Sequence, residues 1–134
     1  MSQVKKINHL AILVEDMQDS LGFWRDVLGL EVTEQIEIPE ENARVAFLPL
    51  GDSNIELVQP TGSDSGLSRY LAKRGPGLHH VCLQVEDIQA TLDRLKEKGA
   101  RLINEQPGRG QDGRKYAFIH PESTQGVLVE LYEL

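Results

Sequence analysis

Two stretches of the chain alternate apolar side chains with other side chains, as a half-buried β-strand does. The first stretch covers residues 9–14 and the second covers residues 80–85. Because successive side chains of a strand point to opposite faces, one face of each predicted strand is wholly apolar. His9 and His80 open the two stretches and fall on the other face.

Each strand-like stretch is followed by a predicted amphipathic helix. Apolar residues recur at three- and four-residue intervals, namely Met17, Leu21, Trp24 and Leu28 in the first helix and Ile88, Leu92 and Leu95 in the second. Asp16 and Asp87 precede these stripes and are typical N-cap residues. Gly29 and Gly99 follow them, where a glycine commonly ends a helix.

The chain repeats itself when His9 is aligned with His80. Val-Glu-Asp at residues 14–16 then falls on the identical Val-Glu-Asp at residues 85–87, which marks a duplicated unit. Further strand-like segments lie at residues 30–38, 44–50 and 54–58 of the first copy and at residues 100–104, 115–119 and 127–132 of the second. Each copy therefore predicts the order βαβββ.

These elements predict an α+β fold in which two tandem βαβββ modules form a partly open, barrel-like sheet around a metal site. Module 1 covers about residues 5–60 and module 2 about residues 78–134, within a single domain of residues 1–134. Residues 61–77 are rich in Gly, Ser and Pro. They predict a linker that carries a short amphipathic helix around residues 67–73.

The last predicted strand of each copy carries a glutamate with an apolar neighbour on either side, Glu56 in the first and Glu130 in the second. Because those neighbours point to the apolar face, both glutamates share the opposite face with His9 and His80. Two imidazoles and two carboxylates suit a divalent ion such as Zn, Co, Ni or Mn. Four protein ligands leave two positions open on an octahedral ion, as a catalytic metal requires. The sequence thus predicts one divalent ion bound by His9, Glu56, His80 and Glu130.

Four other residues with reactive side chains have ordinary structural explanations. His79 falls on the apolar face and is predicted to be structural, and Cys82 is predicted to be a small buried side chain on the face of the metal ligands. Glu133 is predicted to belong to a solvated tail. His120 is explained as well by a turn as by a substrate contact.

Composition changes this picture little but excludes several classes of protein. The chain has 134 residues, of which 40% are hydrophobic and 26% are charged, as is typical of one soluble domain. A net charge of −7 argues against a nucleic-acid partner. No apolar run reaches the ~18 residues of a membrane helix, and no leader segment is evident. We therefore expect a cytoplasmic protein, and its single cysteine excludes an internal disulfide.

Three segments resemble the vicinal oxygen chelate (glyoxalase/bleomycin resistance) superfamily, and within it the epimerases that act on methylmalonyl-CoA. They are Ile-Asn-His-Leu-Ala at residues 7–11, Gly-Leu-His-His-Val at residues 77–81, and His-Pro at residues 120–121 with Gly-Val-Leu-Val-Glu-Leu at residues 126–131. The resemblance covers essentially the whole chain. It implies a homodimeric, metal-dependent isomerase that inverts C2 of an acyl-CoA substrate through an enolate.

The same resemblance implies roles for particular residues. Glu130 would act as a base as well as a metal ligand. Inversion also needs a second proton-transfer group. Some relatives carry a glutamate at the position that aligns with Ala46. Glu40, Glu41 or a metal-bound water are then the candidates for the second proton-transfer group. The two glutamates are better explained as solvated loop charges. The negative charge of CoA favours basic residues near the cleft, and the candidates are Lys73, Arg74, Arg109, Arg114 and Lys115.

The resemblance leaves other activities open, because a fold alone does not decide function. Glyoxalase I uses the same set of two His and two Glu, but the helix in the linker and the Gly-Leu-His-His segment favour the epimerase. An extradiol dioxygenase uses two His and one carboxylate on ferrous iron, so a fourth ligand at Glu56 argues against it. A small-molecule-binding protein of this fold need not bind a metal.

Overall fold

The computed structural model describes residues 2–110 and 112–134, so Met1 and Gln111, the latter in the predicted turn at 109–114, lie outside the described residues. The chain forms two compact units. The terminal unit combines the N-terminal segment through His9 with His80–Leu134, and the central unit comprises Leu10–His79. Both boundaries therefore fall beside the two histidines that the repeat aligns.

The central unit is built on strands that pack against one helix. The elements in chain order are β1 (Val4–Leu13), which begins in the terminal unit, α1 (Met17–Leu21), β2 (Glu34–Ile38), β3 (Ala43–Leu50), β4 (Ser53–Pro60) and α2 (Gly66–Arg74). The strand order is β2-β3-β4-β1, and β3 is antiparallel to both of its neighbours. The core consists of Val14, Met17, Leu21, Ala46, Leu48, Ile55 and Leu57.

The terminal unit has the corresponding arrangement. Its elements after the first part of β1 are β5 (Gly77–Val85), α3 (Ile88–Glu97), β6 (Gly108–Arg109), β7 (Lys115–Ile119) and β8 (Val129–Glu133). The strand order is β1-β5-β8-β7-β6, with β5 parallel to β8 and β8 antiparallel to β7. The core consists of Val85, Ile88, Leu92, Ala117, Ile119 and Leu131. β4 therefore lies beside β1, β8 lies beside β5, and the α+β fold class is confirmed.

Most of the predicted strands are present, but two differ. The predicted strand at residues 30–38 is reduced to β2, because Leu30 and Val32 pack on the central core ahead of the ladder. The predicted strand at residues 100–104 is reduced to an isolated bridge between Leu102 and Ile119. The two-residue strand β6 was not predicted, since two residues carry no recognisable alternation.

The N-caps predicted for the two helices are confirmed. Asp16 accepts a hydrogen bond from the backbone N–H of Asp19, and Asp87 accepts one from Ala90. Each cap satisfies a backbone donor that the helix itself cannot pair. Gly99 has a positive φ and ends α3 as predicted. None of the helices in the described part of the chain has the length and hydrophobicity needed to span a bilayer.

The first helix departs from the predicted stripe after one turn. Residues Gly22–Val27 form a π-helix, and the N–H of Leu28 donates to the carbonyl of Phe23. A π-turn holds more residues than an α-turn, so the side chain at position 28 rotates away from the core. Leu28 is consequently 54% exposed, and its predicted place in the apolar stripe is wrong.

A residue near the end of the last strand of each copy also pairs with the start of a helix. The side chain of Gln59 accepts a hydrogen bond from the N–H of Met17, at 2.7 Å, and Glu133 accepts one from Ile88, at 2.9 Å. Glu133 also forms an ion pair with Lys115. The prediction of a solvated tail at Glu133 is therefore wrong, because its carboxylate is held at the positive end of α3.

Candidate metal centre

Three of the four predicted metal ligands meet within the terminal unit. His9 comes from β1, His80 from β5 and Glu130 from β8, which are neighbouring strands in that order. The Nε2 atoms of the two histidines are 3.2 Å apart. Glu130 Oε1 lies 3.0 Å from His80 Nε2 and 3.6 Å from His9 Nε2. One oxygen and two imidazole nitrogens therefore converge on one point.

The separation of these three atoms fits a bound divalent ion. An ion with ligands at ~2.0–2.2 Å brings neighbouring donors of a tetrahedral or octahedral shell to roughly 2.8–3.6 Å from one another. The three observed separations all fall in this interval. His9 is 1% exposed and Glu130 is 6% exposed, and buried imidazole and carboxylate groups in contact are the donors that a borderline ion prefers.

The orientation of His9 is fixed by its neighbour in the sequence. His9 Nδ1 lies 2.8 Å from the side-chain oxygen of Asn8. Because an amide oxygen only accepts, this contact requires a proton on His9 Nδ1, so an ion would bind at Nε2. A second hydrogen bond, from Asn8 Nδ2 to Gln84 at 3.4 Å, ties Asn8 to β5. This arrangement resembles the outer-shell contacts that orient metal-binding histidines.

Aromatic rings enclose the three donors. The ring of His9 lies edge-on to Tyr132, with centroids 5.3 Å apart, and the ring of His80 lies edge-on to Phe118 at 5.5 Å. Phe118 and Glu130 are opposite each other in the β7/β8 ladder. The donors thus lie against apolar surfaces that limit water and strengthen electrostatic interactions.

The charge state of Glu130 follows from its surroundings. Burial by itself raises the pKa of this carboxyl group, but hydrogen bonds and charge from His80 and His9 together outweigh burial and lower the pKa below its usual value. Both contacts involve Oε1. Within the described part of the chain, Oε2 receives no hydrogen bond. Glu130 is therefore an ionised carboxylate with one oxygen engaged and one available.

Cys82 is a small buried side chain on the face of the metal ligands, as predicted, and it lies close to the donor atoms. It is fully buried, as expected, and it stands opposite Glu130 in the β5/β8 ladder. Its Sγ lies within 4.8 Å of the donor atoms of His9 and Glu130. The sequence contained a signal for this, because Cys82 follows His80 by two residues and so shares its face.

Glu56, the fourth predicted ligand, lies in β4 of the central unit and is partly buried. In its own ladder it stands opposite Phe47, just as Glu130 stands opposite Phe118 in the other unit. Glu56 therefore occupies in the central unit the register position that Glu130 occupies in the terminal unit. Its role as a ligand stays a prediction.

The structure shows the surroundings of Ala46, the position at which some relatives are expected to carry a second acid–base residue. Ala46 is fully buried in the core of the central unit and stands opposite Leu57. It therefore points away from the face that carries Glu56. The residues of β3 that flank Ala46, Val45 and Phe47, lie on the Glu56 face. Neither residue can transfer a proton.

The remaining sequence candidates have defined surroundings. His79 packs edge-on against Tyr70 of α2, and His120 accepts a hydrogen bond from the N–H of Glu122 at the start of a short 3-10 helix. The predicted CoA-binding basic residues lie in two places: Lys73 and Arg74 are in the last turn of α2, and Arg109, Arg114 and Lys115 border β6 and β7.

Comparison with known proteins identifies the family. Residues 8–118 match the model of the glyoxalase/bleomycin resistance protein/dioxygenase superfamily. This match covers most of the chain and includes His9 and His80. The chain therefore belongs to this superfamily, and the resemblance noted from the sequence is confirmed.

Similar proteins narrow the class further. The chain is 40% identical to the mitochondrial methylmalonyl-CoA epimerase of Mus musculus over 127 residues, which cover 94% of this chain and 71% of the relative. It is 38% identical to the ethylmalonyl-CoA/methylmalonyl-CoA epimerase of Cereibacter sphaeroides over 133 residues, covering 98% and 99% of the two chains. A solved methylmalonyl-CoA epimerase in complex with methylmalonyl-CoA and NH4+ superposes with a TM-score of 0.86, at 32% identity, and the match covers 98% of this chain and 95% of that one.

Proposed function

We propose that this protein is an isomerase that interconverts the two C2 epimers of methylmalonyl-CoA. The observation that carries this proposal is the convergence of His9, His80 and Glu130 at 3.0–3.6 Å in the fold of relatives that are epimerases. The similarity extends over nearly the full chain for the bacterial relative. This supports assigning to the chain the activity of these relatives and not only their fold.

His9, His80 and Glu130 would hold one divalent ion, with Glu56 as the fourth ligand. Co, Zn, Ni and Mn all suit two imidazoles and two carboxylates. When bound, such an ion supplies a Lewis acid that polarises a substrate carbonyl oxygen and so acidifies the neighbouring C–H bond. The register of Glu56 opposite Phe47 supports its inclusion in this set.

Glu130 is the residue that we assign to proton transfer at C2. Its lowered pKa keeps the carboxylate ionised at neutral pH, which is the state that a general base requires. His9 and His80 engage Oε1, so Oε2 is the oxygen that can accept the proton. Because Glu130 is only 6% exposed and its side chain packs against the two imidazole rings, its position is restricted before the substrate binds.

A second proton-transfer group must lie outside β3. The side chains on the relevant face of that strand, Val45 and Phe47, are apolar. Glu40 and Glu41 lie in the 3-10 helix Pro39–Glu41 that precedes β3 and are exposed. We infer that either these carboxylates or a water molecule returns the proton on the opposite face of C2.

Deuterium exchange tests the proposed function directly. Metal-loaded protein is incubated with methylmalonyl-CoA in deuterium oxide, and loss of the C2 proton is followed by NMR. We expect rapid exchange by the wild type and by Glu122→Gln, which changes an exposed carboxylate. We expect almost none by Glu130→Gln or after metal removal. If folded, metal-loaded wild type leaves C2 protonated, the epimerase is excluded and the methylglyoxal–glutathione hemithioacetal becomes the next substrate.

Two further expectations, a homodimer and a cytoplasmic location, rest only on the sequence and on its resemblance to the epimerases. Light scattering of the purified protein measures its mass in solution and so tests the dimer. The location requires fractionation of cells that express the protein. Neither result alters the assignment of His9, His80 and Glu130.

A further inference from the structure

Arg114 lies on the same face of the terminal unit as the three metal donors. It immediately precedes β7, whose residues Tyr116 and Phe118 stand opposite Tyr132 and Glu130 in the β8 ladder. Alternate residues of a strand share a face, so one surface carries Phe118, Tyr116 and Arg114 in succession. The Arg114 side chain lies over Tyr132, with Cζ 4.4 Å from the ring centroid.

Tyr132 connects this guanidinium group to the candidate metal centre. The tyrosine is 6% exposed, and its ring contacts that of His9. A cation placed on an aromatic face is stabilised and held in a defined plane. The guanidinium of Arg114 is therefore separated from the metal donors by one aromatic ring and is fixed by that ring.

The hydrogen-bonding capacity of Arg114 is largely unused by the described residues. Its Nε atom is buried and has no hydrogen-bond partner. Asp112 Oδ1 lies 3.5 Å from Nε, too long for a strong bond, and instead accepts the backbone N–H of Arg114 at 3.1 Å. No described residue accepts a hydrogen bond from the terminal nitrogens. Removing a cation partly from water without giving it hydrogen-bond acceptors costs free energy, unless a ligand supplies those acceptors.

We propose that Arg114 binds the free carboxylate of the substrate and so selects malonyl-type acyl-CoA thioesters over simple acyl-CoA thioesters. This inference rests on the proposed function. In a malonyl thioester the carboxylate and the thioester carbonyl are attached to the same carbon. A thioester whose carbonyl lies at His9, His80 and Glu130 therefore has its carboxylate nearby. The planar fork of arginine matches a carboxylate with two parallel hydrogen bonds.

The arrangement also explains why the loop holds Arg114 without neutralising it. Asp112 is 62% exposed on its side chain, so its charge is screened by solvent. Gly110 lies directly beneath the arginine, since a Cβ there would stand 3.1 Å from Arg114 Nε. The loop thus positions the guanidinium by close packing and leaves its terminal nitrogens for a ligand.

Paired ligands separate this role from a general attraction to CoA. Dissociation constants are measured by calorimetry for methylmalonyl-CoA and for isobutyryl-CoA, in which a methyl group replaces the carboxylate. For Arg114→Gln we expect methylmalonyl-CoA to bind about 10- to 100-fold more weakly, the range for a charged hydrogen-bonded pair, with isobutyryl-CoA changed less than about 2-fold. Arg114→Lys keeps the charge but not the fork, and we expect an intermediate loss.

Arg101→Gln provides the control, because Arg101 is an exposed arginine of the same unit that pairs with Glu122. It should bind both thioesters like the wild type. Equal weakening of both thioesters in Arg114→Gln would mean that Arg114 binds the CoA portion, and no change in either would mean that it is structural. Both results overturn the proposal.

The failure of this inference is distinguishable from failure of the proposed function. Suppose that the wild type exchanges the C2 proton and that Arg114→Gln prefers the carboxylated thioester as strongly as the wild type does. That result refutes only the role of Arg114. Wild-type protein that does not exchange the proton refutes the epimerase. Circular dichroism of each variant identifies any that has lost its fold, and in that case Arg114→Lys decides the question.

Discussion

Asn8 offers a test of the candidate metal centre that leaves its donor atoms unchanged. In Asn8→Ala, the Nδ1–H of His9 loses the acceptor that Asn8 provides, and His9 itself is only 1% exposed. An unpaired buried donor costs about 1–3 kcal/mol. Without metal the imidazole can change its tautomer or rotate, but with metal on Nε2 it cannot. We therefore expect metal affinity to fall by roughly 10- to 100-fold, as for other outer-shell contacts.

The measurement is a competition titration of Zn²⁺ or Co²⁺ against a chromophoric chelator at constant pH, with circular dichroism to verify the fold. Asn8→Asp restores an acceptor and adds negative charge, so its affinity should equal or exceed that of the wild type. Gln84→Ala removes only the long 3.4 Å contact behind Asn8 and should change affinity less than about 3-fold. Unchanged affinity in folded Asn8→Ala would refute the conclusion that Asn8 orients His9.

Three further comparisons, each made by chemical denaturation, test how the sequence builds the two units. Gly108→Val should lower the free energy of unfolding by about 1–3 kcal/mol, because even a Cβ would stand 2.7 Å from the Tyr116 ring; an unchanged value would show that the ring moves aside freely. Leu21→Ala should lower the free energy of unfolding by about 2–5 kcal/mol, and Leu28→Ala should lower it by less than about 1 kcal/mol, since the π-helix turns Leu28 outward. Equal losses of stability in the two variants would contradict that account. Asp87→Ala should cost about 1 kcal/mol through loss of the N-cap of α3, and Asp87→Asn, which keeps an acceptor, should recover most of it.

Much of the fold and three-quarters of the proposed ligand set could be located from the sequence because the chain is a duplication. Aligning His9 with His80 identified the strands that carry them, and the same comparison identified Glu130. Strand alternation then placed all three on one face, where the structure brings them together. A single copy would not have distinguished His80 from His79.

What the sequence did not predict depends on local geometry. The π-helix that exposes Leu28 involves one additional residue in a turn, and no residue type specifies it. The direction of the Ala46 side chain likewise depends on strand register, because only the observed pairing with Leu57 shows that it faces the core. The contact of Arg114 with Tyr132 depends on the conformation of a loop.

The division of the chain into its two units has a consequence for the order in which a newly made chain can fold. The central unit, Leu10–His79, is continuous and can form its core as soon as it leaves the ribosome. The terminal unit is discontinuous, so the segment that carries His9 cannot meet β5 and β8 until those strands have been synthesised. Pairing between such distant segments is slow because closing a long loop costs entropy. The proposed metal donors are thus brought together late, and the nascent chain offers no complete site to a metal ion before β8, which carries Glu130, has been synthesised.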